Sequence, residues 1–452
     1  MRLPRFLQLR PTTKLLSSVT IAVGFALLVG FARVFYTEQA WVESFSDLFV
    51  FAVLALAILV VYDGAKRLPD DQLRLIRKLP TSFALNRAQS IVIELSNFSE
   101  FELNVTVSDS VPSNFHGAAF PLKQTIGVEK RGLFEYSVVP KSRGLAIFDP
   151  AYVLVESANG FWQFLHRLGE CDETKIYPDF SAISNSSIFG VEQAMRNMGA
   201  HVAKRKGSGM EFNQLREFRE GDTLKQIDWK ATAKLGSPIS REYQEEKDQN
   251  VVFLLDCSRR MRAIENDLSY FDYALNALLM SSYIALDKGD AVGVMTFSGE
   301  PSWLSPIKGK ASINTLLNHL YALDTSTQSS DYVTAAENLL LKHRKRSLII
   351  VLTNVRDEDS EDLHKAVEIL SQQHLVMVVA LQEGLLQQVD DMPVDEVAQA
   401  MLYAGTKHFE LNRKKMLALL KARGVSVVDA THKNIHIQLV TEYMRLKQFG
   451  RI

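Results

Sequence analysis

Two apolar runs near the amino terminus decide what this chain can fold into. Residues 15–35 are apolar apart from Ser17, Ser18, Thr20, Arg33 and a few glycines; residues 48–62 read LFVFAVLALAILVVY, with no charge. A helix crosses the hydrocarbon core of a bilayer with about 20 residues. The first run has that length, and the second reaches it when residues 45–47 lie in the interface. The pair is read as a membrane hairpin. Arg33 snorkels at its outer end, and Tyr36 and Trp41 suit the interfacial belt. A cleaved signal peptide is the alternative for the first run, but the second follows closely and no small-residue cleavage site separates them.

The flanks set the expected orientation. Arg2, Arg5, Arg10 and Lys14 precede the first run, and Lys66, Arg67, Arg74, Arg77 and Lys78 follow the second. The intervening loop carries Glu38, Glu43 and Asp47. Basic flanks stay on the cytoplasmic side, so both termini are expected in the cytoplasm. The sequons at Asn97, Asn104 and Asn185 are then chance matches.

With 452 residues, the chain is too long for one ordinary core. A net charge of -1 gives no global pull toward nucleic acid. The two cysteines, Cys171 and Cys257, are far apart, which argues against a disulfide framework and a zinc site. The expected organisation is a cytoplasmic amino terminus (1–14), the transmembrane hairpin (15–63), a linker (64–79), a β-sandwich (80–180), a charged and glycine-rich segment (181–250) and an α/β domain (251–452).

Residues 80–180 alternate as strands do. Leu103, Val105 and Val107 fall on one face and Asn104 and Thr106 on the other; Phe134, Tyr136 and Val138 repeat the pattern. Short strands between regular turn signals predict an antiparallel, immunoglobulin-like sandwich. From residue 251 strands and helices alternate, which predicts a doubly wound, mostly parallel sheet with helices on both faces. Ligands of such sheets sit at the carboxyl ends of the strands. Asp256, Ser258, Thr353 and Asn354 fall there, and Asp290 and Asp331 read as solvated loop acids.

A strand followed by Asp256-x-Ser258 resembles the opening of a von Willebrand factor type A domain. That resemblance implies a site for magnesium or a similar hard cation, completed by a hydroxyl and an acid from two further loops. Here Arg260 stands at the second Ser position, Ser330 is the counterpart of the Thr, and Asn354 replaces the acid. Asp256, Ser258 and Ser330 therefore make a degenerate metal site. Its alternative is an Arg260–Asp256 ion pair that fills the site without metal.

Ahead of this domain runs GSGMEFNQLREFREGDTLKQIDWKATAKLGSPISREYQEE, from Gly207. Gly207, Gly209, Glu211, Phe212, Arg216, Gly221, Asp222, Asp228, Trp229 and Lys230 are its marked positions. Residues 211–219 are expected as a turn of helix. Asp222 is expected to cap a second helix over 224–233, which Trp229 anchors to the core. Glu211, Arg216, Asp222, Asp228 and Arg241 form an expected ion network. The basic run 204–206 and the acids Asp390 and Asp391 read as solvated.

This segment resembles the bacterial domain of unknown function 58 family, whose members also carry a membrane hairpin and a β domain. The resemblance implies a bacterial cytoplasmic-membrane location. It also implies a MoxR-type AAA+ ATPase and other membrane proteins as partners, with no nucleic acid among them. The expected function is a non-enzymatic, membrane-anchored adaptor that binds through a rim of Asp256, Ser258, Arg260, Ser330 and Asn354. The motif segment braces that rim or supplies a second docking surface. A hydrolase using Glu211, Asp222 and Asp228, and a purely structural membrane scaffold, stay open.

Overall fold

The computed structural model describes residues 9–35, 40–66, 69–179, 211–219, 222, 224–244, 249–384, 389 and 395–448. Arg2, Arg5, Tyr36, Glu38, Arg67, Asn185, Gly207, Gly209, Gly221, Asp390, Asp391 and the run 204–206 lie outside these, as do the side chains of Arg33, Trp41, Glu43, Glu211 and Phe212. The chain divides into two compact units, Met1–Ile176 and Tyr177–Ile452.

The first unit opens with helices α1 (Thr13–Phe35) and α2 (Ala40–Ala65). Both are long and apolar enough to cross a membrane. Leu27 and Phe51, 71% and 70% exposed, have no protein cover. Such a stretch needs lipid or a partner around it.

The rest of the unit is two antiparallel sheets. One has the order β2 (Leu73–Lys78), β4 (Gln89–Asn97), β8 (Arg131–Pro140), β6 (Phe115–His116). The other runs β1 (Leu9–Pro11), β10 (Trp162–Leu168), β9 (Gly144–Glu156), β11 (Asp172–Tyr177), β3 (Ser82–Ala84), with β5 (Leu103–Ser110) on β9 and β7 (Leu122–Ile126) on β5. Burial alternates along β8, so Phe134, Tyr136 and Val138 face the interior as their spacing predicts. β2 begins at Leu73, inside the stretch expected as linker.

A charged cluster ties the two sheets. The Arg77 guanidinium, from β2, donates to Asp109 on β5 at 2.5 and 3.0 Å and to Asp172 on β11 at 2.7 Å. It also reaches the Asp149 carbonyl at 2.6 Å, and Tyr136 donates its hydroxyl to Asp109. Arg77 and Asp109 are fully enclosed. A charge in such surroundings is tolerable only when it is paired and hydrogen-bonded.

Both roots of the helix hairpin are fastened to the β9–β10 turn. β1, before α1, pairs with β10 (Leu9 with Phe164, Pro11 with Trp162). Thr12 donates to the Gly160 carbonyl at 2.7 Å. From the last turn of α2, the buried Asp63 accepts from the Ser157 hydroxyl at 2.5 Å and the Asn159 and Phe161 amides at 3.1 and 3.3 Å. The Trp162 indole donates to the Val60 carbonyl at 2.9 Å, and a Cβ on Gly64 would lie 3.1 Å from that indole nitrogen. Glycine lets the ring seat on the helix there.

The second unit contains a hairpin, β12 (Glu211–Glu217) and β13 (Ile239–Gln244), joined by α3 (Trp229–Leu235). The expected helix over 211–219 is thus a strand. Its Phe212, Leu215 and Phe218 mimic a helical stripe, but pairing with β13 decides the conformation.

Beyond it, six strands form a sheet in the order β18 (Trp303–Ile307), β17 (Ala291–Phe297), β14 (Asn250–Asp256), β19 (Leu348–Thr353), β20 (Leu375–Gln382), β21 (Ser426–Thr431). Only β18 runs antiparallel. A small hairpin, β15 (Ile264–Glu265) and β16 (Leu268–Ser269), follows β14. Every residue of β14, β17 and β19 is buried, as expected when helices cover both faces. One face packs on α4 (Tyr270–Asp287), α5 (Ile313–Leu320) and α9 (Ile435–Gln448). The other packs on α6 (Tyr332–Lys342), α7 (Ser360–Ser371) and α8 (Val397–Ala422). This is the doubly wound sheet the alternation predicts, with strand order reversing at β14.

Asp290 is not solvated. It is fully buried and accepts from Tyr443 at 2.5 Å and Lys447 at 2.6 Å, which fastens α9 to the sheet. Asp331 is exposed and caps α6 through the Thr334 amide.

Candidate functional site

Strand order reverses beside β14, and in open sheets of this kind ligands sit at the carboxyl ends of the strands at that point. Asp256 closes β14 and is completely buried. Its carboxylate accepts from the Ser258 amide at 2.9 Å, the Ser330 hydroxyl at 2.9 Å and the Thr353 hydroxyl at 2.6 Å. Ser330 Oγ lies 3.0 Å from Ser258 Oγ, and Tyr332 lies 2.8 Å from Thr353. A hydroxyl has one proton. Thr353 spends its proton on Asp256, so Tyr332 is the donor to Thr353. The result is a closed relay of hydroxyls around one acid. Burial pushes the Asp256 carboxyl above its ordinary value, and the bonds from Thr353, Ser258 and Ser330 only partly offset this.

Thr353 joins this cluster from the strand end where the sequence placed it, and Tyr332 joins although the sequence marked only residues near it, such as Ser330. Their signal was position: Thr353 is the last residue of β19, and Tyr332 opens α6.

The expected Arg260–Asp256 pair does not form. Arg260 turns to Asp359 and Glu358, the latter at 3.2 Å. Asp256 is already saturated by hydroxyls and an amide, whereas those two acids lie toward solvent at the start of α7. Asn354, also buried, turns to Glu383 at 3.3 Å, which pairs with Arg356 at 2.8 Å.

A hard divalent cation takes about six or more oxygen ligands, and magnesium is held through one or two carboxylates with lone pairs free to face it. The cluster offers one carboxylate, whose donors already occupy it, and Asn354 is engaged elsewhere. Among the described residues, no group of three or more His, Cys, Asp or Glu side chains converges as a metal-ligand set. The donor set does not fit a divalent ion.

A second polar knot lies farther along the same edge. Glu265 accepts from Tyr270 at 2.9 Å and the Gly384 amide at 3.1 Å, and it pairs with His432 at 3.2 Å. It joins segments that follow β14, β20 and β21. Nothing in the sequence marked it, because Gly384 and His432 each lie more than a hundred residues from Glu265.

In the motif segment the acids are paired. Asp222 takes two bonds from Arg216, at 2.7 and 2.8 Å, and the Arg219 amide at 3.0 Å. The Arg216 bonds hold its carboxyl below the usual range. Asp228, not Asp222, caps α3: it accepts from the Lys230 and Ala231 amides at 3.0 Å, and its other oxygen pairs with Arg241 at 2.9 Å. The Ala231 amide and then Arg241 hold Asp228 low as well. A general acid needs the opposite shift. The cap leaves the Lys230 side chain exposed, and α3 ends at Gly236 in the left-handed conformation. Trp229 does not anchor α3. It is 69% exposed, as are Leu224 and Leu235 at 74% and 64%, because α3 is short and buries none of its residues.

Residues 214–400 match the profile of the family described as protein of unknown function DUF58. Among solved structures, an aerotolerance-related membrane protein from Bacteroides fragilis is similar at 21% identity, over 29% of this chain and 67% of that one, with a TM-score of 0.21. The mussel byssus proximal thread matrix protein 1 is similar at 13% identity, over 44% of this chain and 46% of its own, with a TM-score of 0.26. The CARDB domain of a Pyrococcus furiosus protein is similar at 12% identity over 23% of this chain, with a TM-score of 0.17. Each likeness is partial. No curated protein matches the sequence.

Proposed function

We propose that the chain is a membrane-anchored docking protein rather than an enzyme, and that its partner is a MoxR-type AAA+ ATPase. In this reading the helix hairpin holds it in the bacterial cytoplasmic membrane with both termini cytoplasmic. The α/β unit is a von Willebrand factor type A-like domain altered to work without metal. The observation that carries the reading is Asp256. It sits where such a domain places its first ligand, yet three protein donors satisfy it. A buried cluster closed in this way holds the loops around it rigidly for docking and has no vacant reactive group.

The exposure of Leu224, Trp229 and Leu235 favours a docking role for the motif segment over a bracing one. Leu224 precedes α3, and Trp229 and Leu235 stand at its two ends, so the segment leaves apolar side chains uncovered along its length. The paired states of Asp222 and Asp228 weigh against the hydrolase. The ATPase as partner rests on the family resemblance alone.

The test is photo-crosslinking from the full chain in native membranes. The reactive residue replaces Gln328 beside the rim, Trp229 in the motif segment, or Ser142 on the sandwich as control. An AAA+ ATPase attached at Gln328 or Trp229, and not at Ser142, is the expected result. Absence of any such ATPase at both positions would leave only the scaffold.

A further inference from the structure

The β4–β5 and β7–β8 turns expose three large apolar side chains: Phe98 at 57%, Phe101 at 62% and Val128 at 46%. These turns lie at the same end of the sandwich as the helix roots. Val105 on β5 pairs with Val155 on β9. Continuing that register brings Leu103, the first residue of β5, level with Ser157, which donates to Asp63 of α2. β5 is two strands from β10, or about 10 Å along the sheet. The interfacial zone of a bilayer is about 6 Å deep on each side. Side chains at the level of the last turn of α2, and this close to it, meet that zone.

The turns are built to hold these side chains outward. Asn97 accepts from the Ser99 amide at 2.9 Å and hydroxyl at 2.6 Å. Its amide nitrogen donates to the Phe101 carbonyl at 2.8 Å and the Gly127 carbonyl at 3.1 Å, joining the two turns. The Asn97 amide bonds Lys130, and the Phe98 amide bonds Gln72. Ser99, between the two phenylalanines, is buried. A rigid frame with apolar tips loses little entropy on insertion.

We infer that Phe98, Phe101 and Val128 form a lip that dips into the lipid headgroup–acyl boundary and fixes the tilt of the sandwich on the membrane. The occupant of this surface is lipid, because the hairpin roots set the bilayer boundary at this end. Glu100, Glu102 and Glu129 are exposed on or beside the same turns, next to Lys130 and Arg131. The attraction is therefore apolar, and a zwitterionic bilayer suffices.

The inference rests on the hairpin crossing the membrane, so the experiment separates the two. Cys171, the exposed cysteine, is first replaced by serine; Cys257 is buried. The full chain then carries an environment-sensitive fluorophore on Phe98→Cys, Phe101→Cys or Val128→Cys. Leu54→Cys within α2 and Ser142→Cys at the opposite end of the sandwich are controls. Each protein is reconstituted in phosphatidylcholine vesicles. The expected result is a blue-shifted emission at 98, 101 and 128, with most of it lost to a nitroxide on the upper acyl chain and little to aqueous iodide. Position 142 should show the reverse.

If position 54 is quenched from the lipid but 98, 101 and 128 behave like 142, the lip is refuted and the hairpin stands. If position 54 is not reached from the lipid, the hairpin reading fails and the lip with it. Protection of 98, 101 and 128 from both quenchers would assign the surface to a protein and overturn the inference.

Discussion

Two buried carboxylates, one in each unit, are held in opposite ways. Asp109 in the sandwich faces a guanidinium and a phenol, and Arg77 carries the same charge cluster to Asp172. Asp256 in the α/β unit faces two hydroxyls and a backbone amide, with no cation among its donors. The first arrangement locks two sheets together and is costly to break from either side. The second tolerates either protonation state, because a hydroxyl can accept as readily as it donates. The sandwich is thus fastened by charge, whereas the rim of the α/β unit keeps its acid without a counter-ion.

The largest expected effect breaks the charged member. Asp109→Ala strands the Arg77 guanidinium, and losing one partner of a buried pair costs about 3–5 kcal/mol. Denaturant unfolding of the full chain in detergent should show the sandwich transition shifted by that amount. A shift below about 1 kcal/mol would mean that Asp172 and the carbonyls suffice.

Next comes the neutral-donor member. In Asp256→Ala the Ser330 and Thr353 hydroxyls can turn to their hydroxyl neighbours, so the expected loss is about 1–3 kcal/mol, for the fixed Ser258 amide. Asp256→Asn should match or exceed the wild type at neutral pH, because it removes the cost of a buried charge. The sign follows from the raised value of Asp256. Its neutral form is the one the fold favours, and that contribution is fully present below the unfolded value and lost as pH rises through the folded one. The advantage of Asn over Asp should therefore vanish on acidification. Melting curves across the acid range check this, and an advantage that grows in acid would contradict it.

Smaller still is Arg216→Ala, which opens a pair with Asp222 that solvent screens. Trp229→Ala, at an exposed position, should move the melting temperature least of these substitutions. Magnesium should not raise the melting temperature at all. A clear rise that disappears in Asp256→Ala would place a cation at the rim and remove the contrast between the two acids.

Much of the α/β unit was legible because its strands are short apolar runs ended by polar residues. β14 stops at Asp256 and β19 at Thr353, so the rim was found before its geometry. β18 is not legible in the sequence, because Pro306 interrupts it and proline reads as an edge or a loop. α8 is legible in the sequence only toward its carboxyl end. The first part of that helix is exposed on every side, so its residues carry no stripe. The partners of Arg260 were misjudged for a different reason. Spacing placed it beside Asp256, but the competing acids come from a loop about a hundred residues away. The same distance hid the Glu265–His432 knot. It also hid the binding of Leu9–Pro11 to β10, since nothing local in a three-residue strand announces its partner.

That last pairing has a bearing on handling the protein. The strand that precedes the membrane helices is the edge strand of the sheet that follows them. A fragment begun after the hairpin, as is customary for obtaining a water-soluble body, would lose it together with Asp63. β10 would then present unpaired amides and carbonyls beside an uncovered Trp162, a surface prone to join another sheet. Solubility is better sought by keeping residues 9–12 and joining them through a short linker to residue 63 than by cutting the hairpin away.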